Sequence, residues 1–385
     1  MSKFHAAGDD DIIAGKTTDS YFINALRAIE GIDGGGKEVV AEVSIYSLPY
    51  GYEYGVFLGL EDSLNLLEGK NIDVYAMEEG NLFYSREVVM RIEGPYRDFC
   101  TLETPLLGLL CHTSGIATKA ARIKRLAGKK TVLSFGVRRV HPAIAPMVDR
   151  AAYIGGCDGF SCIGAEEYIG KKASGTMPHS LIIYAEDQVK GWRAFDKFCD
   201  PGVPRIALVD TYCDEKEETI KAAQTIDLDG VRLDTPSSRR GNMAEIVREI
   251  RWELDIRGYE NVKIFVSGGL DEYEVKNICA DGYGVGTNIS NAPIINFALD
   301  IVEISGKAVA KRGKLGGKKQ IWRCSKCMGD VTTIDGVPPP ICSSCKEEMV
   351  PLLKKVMDRG KKIMDKRKDE EIRDTVLRQI SSIGP

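Results

Sequence analysis

The chain has 385 residues, of which 43% are hydrophobic and 28% charged, and its formal net charge is −4. This length predicts two domains or one large barrel with an appendage, and the ordinary composition excludes wholesale disorder and fibrous repeats. No apolar run reaches the ~18 residues of a membrane span, and three aspartates at 9–11 stand where a signal peptide would need an apolar stretch. We therefore expect a soluble, cytoplasmic protein with no membrane partner.

The charge is unevenly distributed along the chain. Residues 311–385 carry 18 Lys/Arg against 10 Asp/Glu, and the rest of the chain is acidic. A basic segment on an acidic body is one mark of nucleic-acid binding. The mixed signs favour a solvated link and an exposed helix instead, so a nucleic-acid partner is not expected.

Residues 1–105 mix short alternating segments with turns. The alternation predicts half-buried strands at 39–46 and 87–92. Three glycines at 34–36 precede the first strand, but the rest of a phosphate-binding loop is missing, which favours a hairpin or loop. The pattern over 104–126 is helical, with basic residues at its C-terminal end, where the helix dipole favours them.

The next part of the chain alternates between strand and helix patterns. This alternation predicts a parallel sheet, and the number of units favours an α/β barrel over an open sheet. The predicted strands are 131–135, 205–210, 230–233, 262–266 and 284–287, with a weaker one at 152–156, and the predicted helices include 215–224, 242–256 and 271–280.

Polar and flexible residues follow the predicted barrel strands. Barrel enzymes carry their sites on the C-terminal ends of strands, and the loops after the last two strands commonly hold phosphate. Here those loops read SGG and GVGT, and glycine lets backbone N–H groups approach an anion. The predicted phosphate-binding residues are Ser267, Gly268, Gly269, Gly286 and Thr287.

Charged pairs follow two other strands. Consecutive arginines after a buried strand, Arg138 and Arg139, are costly unless they meet anions, and arginine binds carboxylates bidentately. A surface pair beside a core Phe135 is the plainer alternative. Arg232 and Asp234 flank one strand residue, so both point to one face and either meet a charged, hydroxylated ligand or form an internal ion pair.

Four of the eleven cysteines form one pattern. Two C-x-x-C pairs separated by fourteen residues have nearly the spacing of a tetrahedral zinc site. Four cysteines leave no open coordination position, so the zinc would be structural. The predicted ligands are Cys324, Cys327, Cys342 and Cys345, and the other seven cysteines show no pairing pattern.

Several separated motifs resemble the type II phosphoribosyltransferases that act on nicotinate, nicotinamide and quinolinate. The chain is similar to this family over about residues 17–290. The motifs that carry the resemblance are, in chain order, TDSY at 18–21, ETPLLGLLCHTSGIATKAARI at 103–123, SFGVRR at 134–139, IGGCDGFSC at 154–162, GTMPHS at 175–180, VRLD at 231–234, VSGG at 266–269 and GVGT at 284–287.

The resemblance implies a role for each matched residue. Tyr21, from a neighbouring subunit, and Phe135 would sandwich the pyridine ring, and Arg138 would bind its carboxylate. Arg232 and Asp234 would contact the ribosyl part of phosphoribosyl pyrophosphate, with Asp234 also facing the developing ribosyl cation. The SGG and GVGT loops would hold the 5-phosphate. His179 would be phosphorylated by ATP to couple its hydrolysis to product formation.

The resemblance also implies cofactors, partners and domains. It implies Mg²⁺ and ATP beside the predicted structural Zn²⁺, and a homodimer or higher homo-oligomer with shared active sites. The predicted division is an N-terminal α+β sandwich domain (1–105), an irregular, incomplete α/β barrel with the active site (106–290), a return segment packing on the N-terminal domain (291–320), a zinc knuckle with four cysteine ligands (321–350) and a charged C-terminal helix (351–385).

Three pyridine substrates stay open, and nicotinate is favoured. Quinolinate has a second carboxylate, but 155–162 contains no basic residue to hold it. The pattern that resembles nicotinamide phosphoribosyltransferases has an Asp at the position of Phe160 or Ser161. In this chain the nearest Asp in sequence is Asp158. The competing class is a barrel without activity whose zinc ribbon and basic tail bind nucleic acid.

Overall fold

The structure, a computed structural model, describes residues 3–239 and 241–383 and contains both strands and helices. The strands are, in chain order, β1 (Glu38–Ser44), β2 (Gly55–Val56), β3 (Asp73–Ala76), β4 (Leu82–Phe83), β5 (Val88–Pro95), β6 (Thr131–Ser134), β7 (Gly159–Phe160), β8 (Ile206–Leu208), β9 (Gly230–Leu233), β10 (Lys263–Ser267), β11 (Gly282–Val285), β12 (Ala298–Ile304), β13 (Lys307–Ala308), β14 (Lys319–Arg323), β15 (Asp330–Ile334), β16 (Val350–Pro351), β17 (Lys354–Asp358) and β18 (Lys361–Lys362).

The α-helices flank these strands in both halves of the chain. None of them, among the residues that the structure describes, is both long and apolar enough to cross a membrane. They are α1 (Asp9–Ile13), α2 (Ser20–Asp33), α3 (Leu60–Leu67), α4 (Glu103–Ala127), α5 (Ala145–Ile154), α6 (Glu166–Ile169), α7 (His179–Tyr184), α8 (Gln188–Phe198), α9 (Glu215–Ala223), α10 (Met243–Asp255), α11 (Glu272–Asn277), α12 (Thr287–Ser290) and α13 (Asp369–Ser382).

The chain forms two compact units. The first combines the residues up to Thr118 with those from Pro293 onward, and the second is Lys119–Ala292. The predicted barrel, 106–290, starts earlier than this second unit, near the start of the segment whose sequence pattern is helical. The boundary falls inside α4, so the sequence pattern of one continuous helix does not mark it.

The first unit contains an antiparallel sheet with the strand order β13-β12-β1-β5-β3-β17-β18. Its two central strands correspond to the predicted strands at 39–46 and 87–92. Strand β12, within the predicted return segment, pairs with β1 along its length. A smaller sheet, in the order β15-β14-β16, carries the cysteine module.

The C-terminal segment differs from the predicted helix over 351–385. Among residues 351–383, only α13 is helical, and it buries Ile372, Val376 and Ile380 along one face. Strands β17 and β18 precede it as a hairpin, which turns at Arg359 and Gly360 with φ values of 45° and 76°. A turn of this kind, with positive φ at both central residues, reverses the chain between two strands and is incompatible with a continuous helix at this place.

The second unit contains a parallel sheet with the strand order β7-β6-β11-β10-β9-β8. The described edge strands β7 and β8 do not pair with each other, so the sheet curls without closing. The α/β class and the parallel sheet of the prediction are confirmed, and the barrel is incomplete.

One predicted barrel strand is wrong. Residues 152–156 end helix α5, and the strand at this place in the sheet is β7, a few residues later. The apolar run was misassigned because Val148, Ala151 and Ala152 bury one helical face, and a short buried helix and a buried strand look alike in sequence.

Glycines on β11 leave room for two phenylalanine rings inside the curled sheet. A Cβ on Gly282 would lie 2.4 Å from the Phe265 ring, and one on Gly284 would lie 2.5 Å from the Phe135 ring. No side chain fits at either position without displacing a ring. The sheet interior is thereby shaped around Phe135 at its C-terminal edge.

Candidate active site

The carboxyl ends of the parallel strands bring most of the predicted residues of the second unit to one edge. Phe135 follows β6, Asp234 follows β9, and Ser267 ends β10. Parallel strands that share a sheet end on the same side, so loops far apart in sequence meet there. The contacts described below join the loops after β8, β9 and β10 with the start of α7.

Phe135 and Arg232 lie together at this edge. The Arg232 guanidinium carbon is 6.0 Å from the centre of the Phe135 ring, and one terminal nitrogen donates a hydrogen bond to the Met177 carbonyl at 3.2 Å. Burial lowers the pKa of Arg232, although an arginine keeps its proton at physiological pH. Its Nε is buried without a hydrogen-bond partner among the described residues, so it is available to a ligand.

Asp234 is fixed by the loops on either side of it. Its Oδ1 accepts a hydrogen bond from the Ser267 hydroxyl at 2.7 Å, and its Oδ2 lies 3.9 Å from Arg232. As the strand spacing predicts, Arg232 and Asp234 share a face. Ser267, predicted as a substrate-binding residue, is 4% exposed and its hydroxyl is committed to Asp234.

The SGG loop packs closely against Asp234. Gly268 and Gly269 have φ values of 90° and 77°, a region that only glycine enters without strain. A Cβ on Gly268 would lie 2.9 Å from the Asp234 carbonyl oxygen. The Asn288 amide donates to the Leu270 carbonyl at 2.7 Å and joins this loop to the segment after Gly286 and Thr287.

His179 is the first residue of α7 and directly follows the loop that ends at Pro178. Its Nδ1 is 3.1 Å from the Thr211 hydroxyl. Its Nε2 faces two carboxylates, with Asp234 Oδ2 at 3.7 Å and Asp210 Oδ1 at 3.8 Å. One ring nitrogen is thus held by a hydroxyl, and the other points between two acids.

The pKa values of His179, Asp210 and Asp234 are shifted in different directions. The Asp234 side chain, together with Asp210, raises the pKa of His179. Burial raises the pKa of Asp210, whereas in Asp234 the burial effect is outweighed by the interactions with His179 and Ser267, which lower its pKa. Two carboxylates with separated pKa values next to an imidazole are a recurrent arrangement at catalytic sites.

Arg138 and Arg139 form a 3₁₀ turn after β6, and both are exposed. Neither guanidinium has an ion-pair or hydrogen-bond partner in the part of the chain that the structure describes. The predicted interpretation as anion-binding groups is compatible with this arrangement. Ser161 follows β7, and its hydroxyl oxygen is buried without a partner among the described residues.

Five buried polar atoms in this unit lack hydrogen-bond partners among the described residues. They are Ser161 Oγ, Thr176 Oγ1, Asp210 Oδ1, Arg232 Nε and, on helix α9, Thr219 Oγ1. A buried polar atom without a partner is costly in a free protein and gains a bond when a polar ligand arrives. Sequence reasoning named Ser161 and Arg232 but missed Thr176, Asp210 and Thr211; the aspartate after β8 was a strand-end polar residue and could have been included.

Tyr21 lies in the other unit, on α2. Its side chain is 59% exposed, and its ring lies 4.4 Å from the Phe22 ring. The sandwich with Phe135 stays a prediction.

The four predicted zinc ligands come together in the first unit. Their sulfur atoms lie within 4.8 Å of one another, and the Sγ atoms of Cys327 and Cys342 are 3.7 Å apart. A tetrahedron with Zn–S distances of about 2.3 Å separates its sulfurs by about 3.8 Å. The donor set and its spacing fit zinc.

Two family descriptions match the chain. Residues 19–114 match "Quinolinate phosphoribosyl transferase, N-terminal domain", and residues 116–300 match "Quinolinate phosphoribosyl transferase, C-terminal domain". The open parallel sheet lies within the matched C-terminal domain, and the two domains together define a phosphoribosyltransferase fold of the type II class.

The chain belongs to the nicotinate phosphoribosyltransferase family. The Bacillus subtilis nicotinate phosphoribosyltransferase is 31% identical over 363 residues, which cover 80% of this chain and 72% of the relative. A Mycobacterium tuberculosis nicotinate phosphoribosyltransferase is 29% identical, covering 90% of this chain and 87% of its own. The resemblance predicted from separated motifs is therefore confirmed.

Solved structures show the same fold. A Pyrococcus furiosus protein described as a nicotinate-nucleotide pyrophosphorylase is 50% identical, with a TM-score of 0.97 and 99% of each chain covered. Human nicotinic acid phosphoribosyltransferase, at 18% identity, has a TM-score of 0.78 over 96% of this chain and 94% of its own. The human protein supports the fold alone.

Proposed function

We propose that the protein transfers the phosphoribosyl group of phosphoribosyl pyrophosphate to nicotinate, giving nicotinate mononucleotide and pyrophosphate for NAD biosynthesis. The observation that carries this proposal is that Ser161, Asp210 and Arg232, at or after the carboxyl ends of parallel strands, each have a buried polar atom without a hydrogen-bond partner among the described residues. A hydroxylated, highly charged ligand satisfies such atoms, whereas an apolar ligand does not.

Each site residue has a proposed part in the transfer. The pyridine nitrogen attacks the ribosyl C1 as pyrophosphate leaves, and positive charge builds on the ribosyl ring. Asp234 faces that charge, held ionised by its lowered pKa and oriented by the Ser267 hydroxyl. Arg232 donates to the phosphoribosyl group, and Phe135 supports the flat face of the pyridine.

The phosphate loops and the arginine pair would fix the two substrates. Gly268, Gly269, Gly286 and Thr287 offer backbone N–H groups to the 5-phosphate. Arg138 would bind the nicotinate carboxylate bidentately, with Arg139 adding positive charge beside it.

Mg²⁺ fits the acidic residues of this edge. The carboxylates of Asp210 and Asp234 would hold it, since Asp210 Oδ1 is a buried acceptor without a hydrogen-bond partner among the described residues. When bound, the ion offsets negative charge on the pyrophosphate.

The position of Asp158 favours nicotinate over nicotinamide. Asp158 precedes β7, and its carboxylate binds Lys124 at 2.7 Å and the Val132 N–H at 2.9 Å. Ser161 follows the same strand at the opposite end. The one acid of the 155–162 segment is therefore held away from the carboxyl edge, by Lys124 and the Val132 N–H, and does not face the nicotinate carboxylate.

We also propose that His179 couples ATP hydrolysis to the transfer. A phosphoryl acceptor histidine needs one nitrogen fixed and the other accessible. The contact between Thr211 and Nδ1 supports this role, as do the distances of 3.7 and 3.8 Å that separate Nε2 from the two carboxylates. His179→Ala should abolish ATP stimulation and acid-labile phosphate labelling while a slow, ATP-independent transfer continues. Equal labelling of the wild type and the variant would contradict coupling.

The assembly and the zinc are further parts of this proposal. A dimer would bring Tyr21 to a neighbouring active site, and mixing Tyr21→Ala with Asp234→Ala protomers should then restore some activity. The four cysteines would bind one structural Zn²⁺, which closes a segment too short to build its own core.

The proposed activity is tested by incubating the protein with phosphoribosyl pyrophosphate and nicotinate and separating the products by chromatography. We expect nicotinate mononucleotide and pyrophosphate in equal amounts. Asp234→Ala should lose nearly all of the rate, and Gly31→Ala, at an exposed position of α2 with open space around it, should keep it. No nucleotide from the wild type with ATP and Mg²⁺ present would reject the function.

A further inference from the structure

Two buried carboxylates accept hydrogen bonds from strand ends and loops of the candidate site and have no role in the transfer described above. Asp149 on α5 and Glu218 on α9 are both 0% exposed. Neither forms an ion pair with any described residue. A buried acid without a cation is costly unless hydrogen bonds satisfy it, so its hydrogen-bond donors show what it is for.

All three donors to Asp149 belong to the strand ends of β6 and β7. Its Oδ1 accepts from the Ser134 hydroxyl at 2.7 Å, and its Oδ2 accepts from the N–H groups of Ser161 at 3.0 Å and Cys162 at 2.8 Å. Ser134 directly precedes Phe135 and lies four residues before Arg138. Asp149 therefore ties together the two loops that carry the proposed pyridine-binding residues.

All three donors to Glu218 belong to the loop after β8. Its Oε2 accepts from the Thr211 N–H at 3.0 Å, and its Oε1 accepts from the N–H groups of Tyr212 at 2.8 Å and Cys213 at 3.0 Å. This loop carries Asp210 and Thr211, the residues that face His179. Glu218 therefore fixes the loop on the proposed phosphoryl side.

We propose that Asp149 and Glu218 are positioning residues with separate assignments, Asp149 for the pyridine and Glu218 for the phosphoryl groups. Charge-assisted hydrogen bonds from a buried carboxylate are stronger than neutral ones and set the loop backbone before any substrate binds. Neither residue touches the substrates, and each acts only through the loop it holds. The assignment of each loop to a substrate rests on the proposed function.

Replacing the carboxylate by an amide should have different consequences at Asp149 and at Glu218. In Asp149→Asn, the amide oxygen still accepts from both backbone N–H groups, and the amide NH₂ faces the Ser134 hydroxyl, which can turn to accept. In Glu218→Gln, the NH₂ faces either the Thr211 N–H or the pair of N–H groups of Tyr212 and Cys213. A backbone N–H cannot accept, so at least one partly buried donor loses its partner.

The experiment compares Asp149→Asn and Glu218→Gln with wild type by steady-state kinetics. Glu218→Gln should raise the KM for phosphoribosyl pyrophosphate or reduce ATP stimulation by roughly 5-fold, the low end for one unsatisfied donor, because these N–H groups are only partly buried. Its KM for nicotinate should change by less than about two-fold, within the scatter of independent sites. Asp149→Asn should change the KM for nicotinate by less than Glu218→Gln changes the constants of the phosphoryl side, because every donor to residue 149 keeps a partner.

Asp149→Leu removes all three acceptor contacts at the pyridine side. It should raise the KM for nicotinate and leave that for phosphoribosyl pyrophosphate unchanged. If this variant does not fold, Asp149→Ala, which also removes the three acceptor contacts, is measured in its place. Glu245→Gln, an exposed acid on α10 paired with Arg248, is the matched control and should match wild type.

Hydrogen–deuterium exchange separates this inference from the proposed function. Glu218→Gln should speed exchange at Thr211, Tyr212 and Cys213 but not at Ser161 and Cys162, whether or not the enzyme acts on nicotinate. An inactive wild type with this exchange pattern would reject the function and keep the loop assignment. Equal effects of Asp149→Asn and Glu218→Gln, or a parallel rise of both KM values in either variant, would overturn the inference.

Discussion

Gly284→Ala tests whether the curled sheet positions Phe135 for the pyridine. The new Cβ would lie 2.5 Å from Phe135 Cδ2, 2.7 Å from Cε2 and 3.1 Å from Ser267 Cβ. Carbon atoms in contact sit about 3.5–4.0 Å apart, so the ring must move by roughly 1 Å or more. Overpacking of this kind costs about 1–3 kcal/mol of unfolding free energy.

The same displacement should reduce the use of nicotinate. A misplacement of ~1 Å at a reacting centre costs roughly 100-fold in rate. We expect kcat/KM for nicotinate to fall by about that factor. Urea unfolding measures the loss of stability and initial rates measure the loss of activity, and Gly31→Ala controls for the added methyl group.

A double variant identifies the Phe135 ring as the cause. Phe135→Ala empties the space into which the new Cβ projects, so Gly284→Ala should cost less stability in that background, by about 1 kcal/mol or more. Activity should stay low in the double variant because the ring is gone. Stability costs that add within about 0.5 kcal/mol would show that Gly284 and Phe135 are independent and would refute the reasoning.

Three further predictions concern the arginine, the imidazole and the cysteines. Arg138→Lys should raise the KM for nicotinate roughly 10- to 150-fold, since a point charge replaces a bidentate contact. Arg193→Lys, at an exposed position of α8, is the control, and a KM for nicotinate equal to that of wild type in Arg138→Lys would place the carboxylate elsewhere. Asp234→Asn should lower the pKa of His179, because in the wild type the Asp234 carboxylate stabilises the protonated imidazolium and so raises that pKa. The stabilisation is present below the pKa of His179 and is lost as the pH rises through it. NMR titration measures the pKa, and an unchanged or higher value would contradict the prediction. Cys324→Ser or chelation should loosen residues 320–350 and release one zinc per chain without abolishing transfer, and metal analysis finding no zinc would refute the site.

Much of the fold could be predicted because its signals are local. The strand at 230–233 has the predicted bounds, and the apolar runs before Ser134 and Ser267 mark two more strands of the same sheet. The strand predicted at 152–156 failed because a short apolar run fits either period. The hairpin before α13 was missed because its turn depends on one Arg-Gly pair.

The candidate site was predicted only in part because some of its contacts are not local. Motifs predicted Arg232, Asp234 and His179. In the structure the Asp234 carboxylate lies within 4 Å of both His179 and Arg232. Asp149 and Glu218 carry no motif, since each lies on a helix and binds loops reached only by folding. A lone acid in a helix pattern is far more often a solvated surface residue.

The central claim, that this edge of the sheet accepts nicotinate, is tested most directly by one comparison of initial rates. Nicotinate, nicotinamide and quinolinate are supplied separately at equal concentration with phosphoribosyl pyrophosphate, Mg²⁺ and ATP, and the mononucleotide product is measured. We predict the highest rate with nicotinate, because Arg138 meets its carboxylate and Asp158 is held away by Lys124. A rate with quinolinate or nicotinamide equal to or above that with nicotinate would contradict the account.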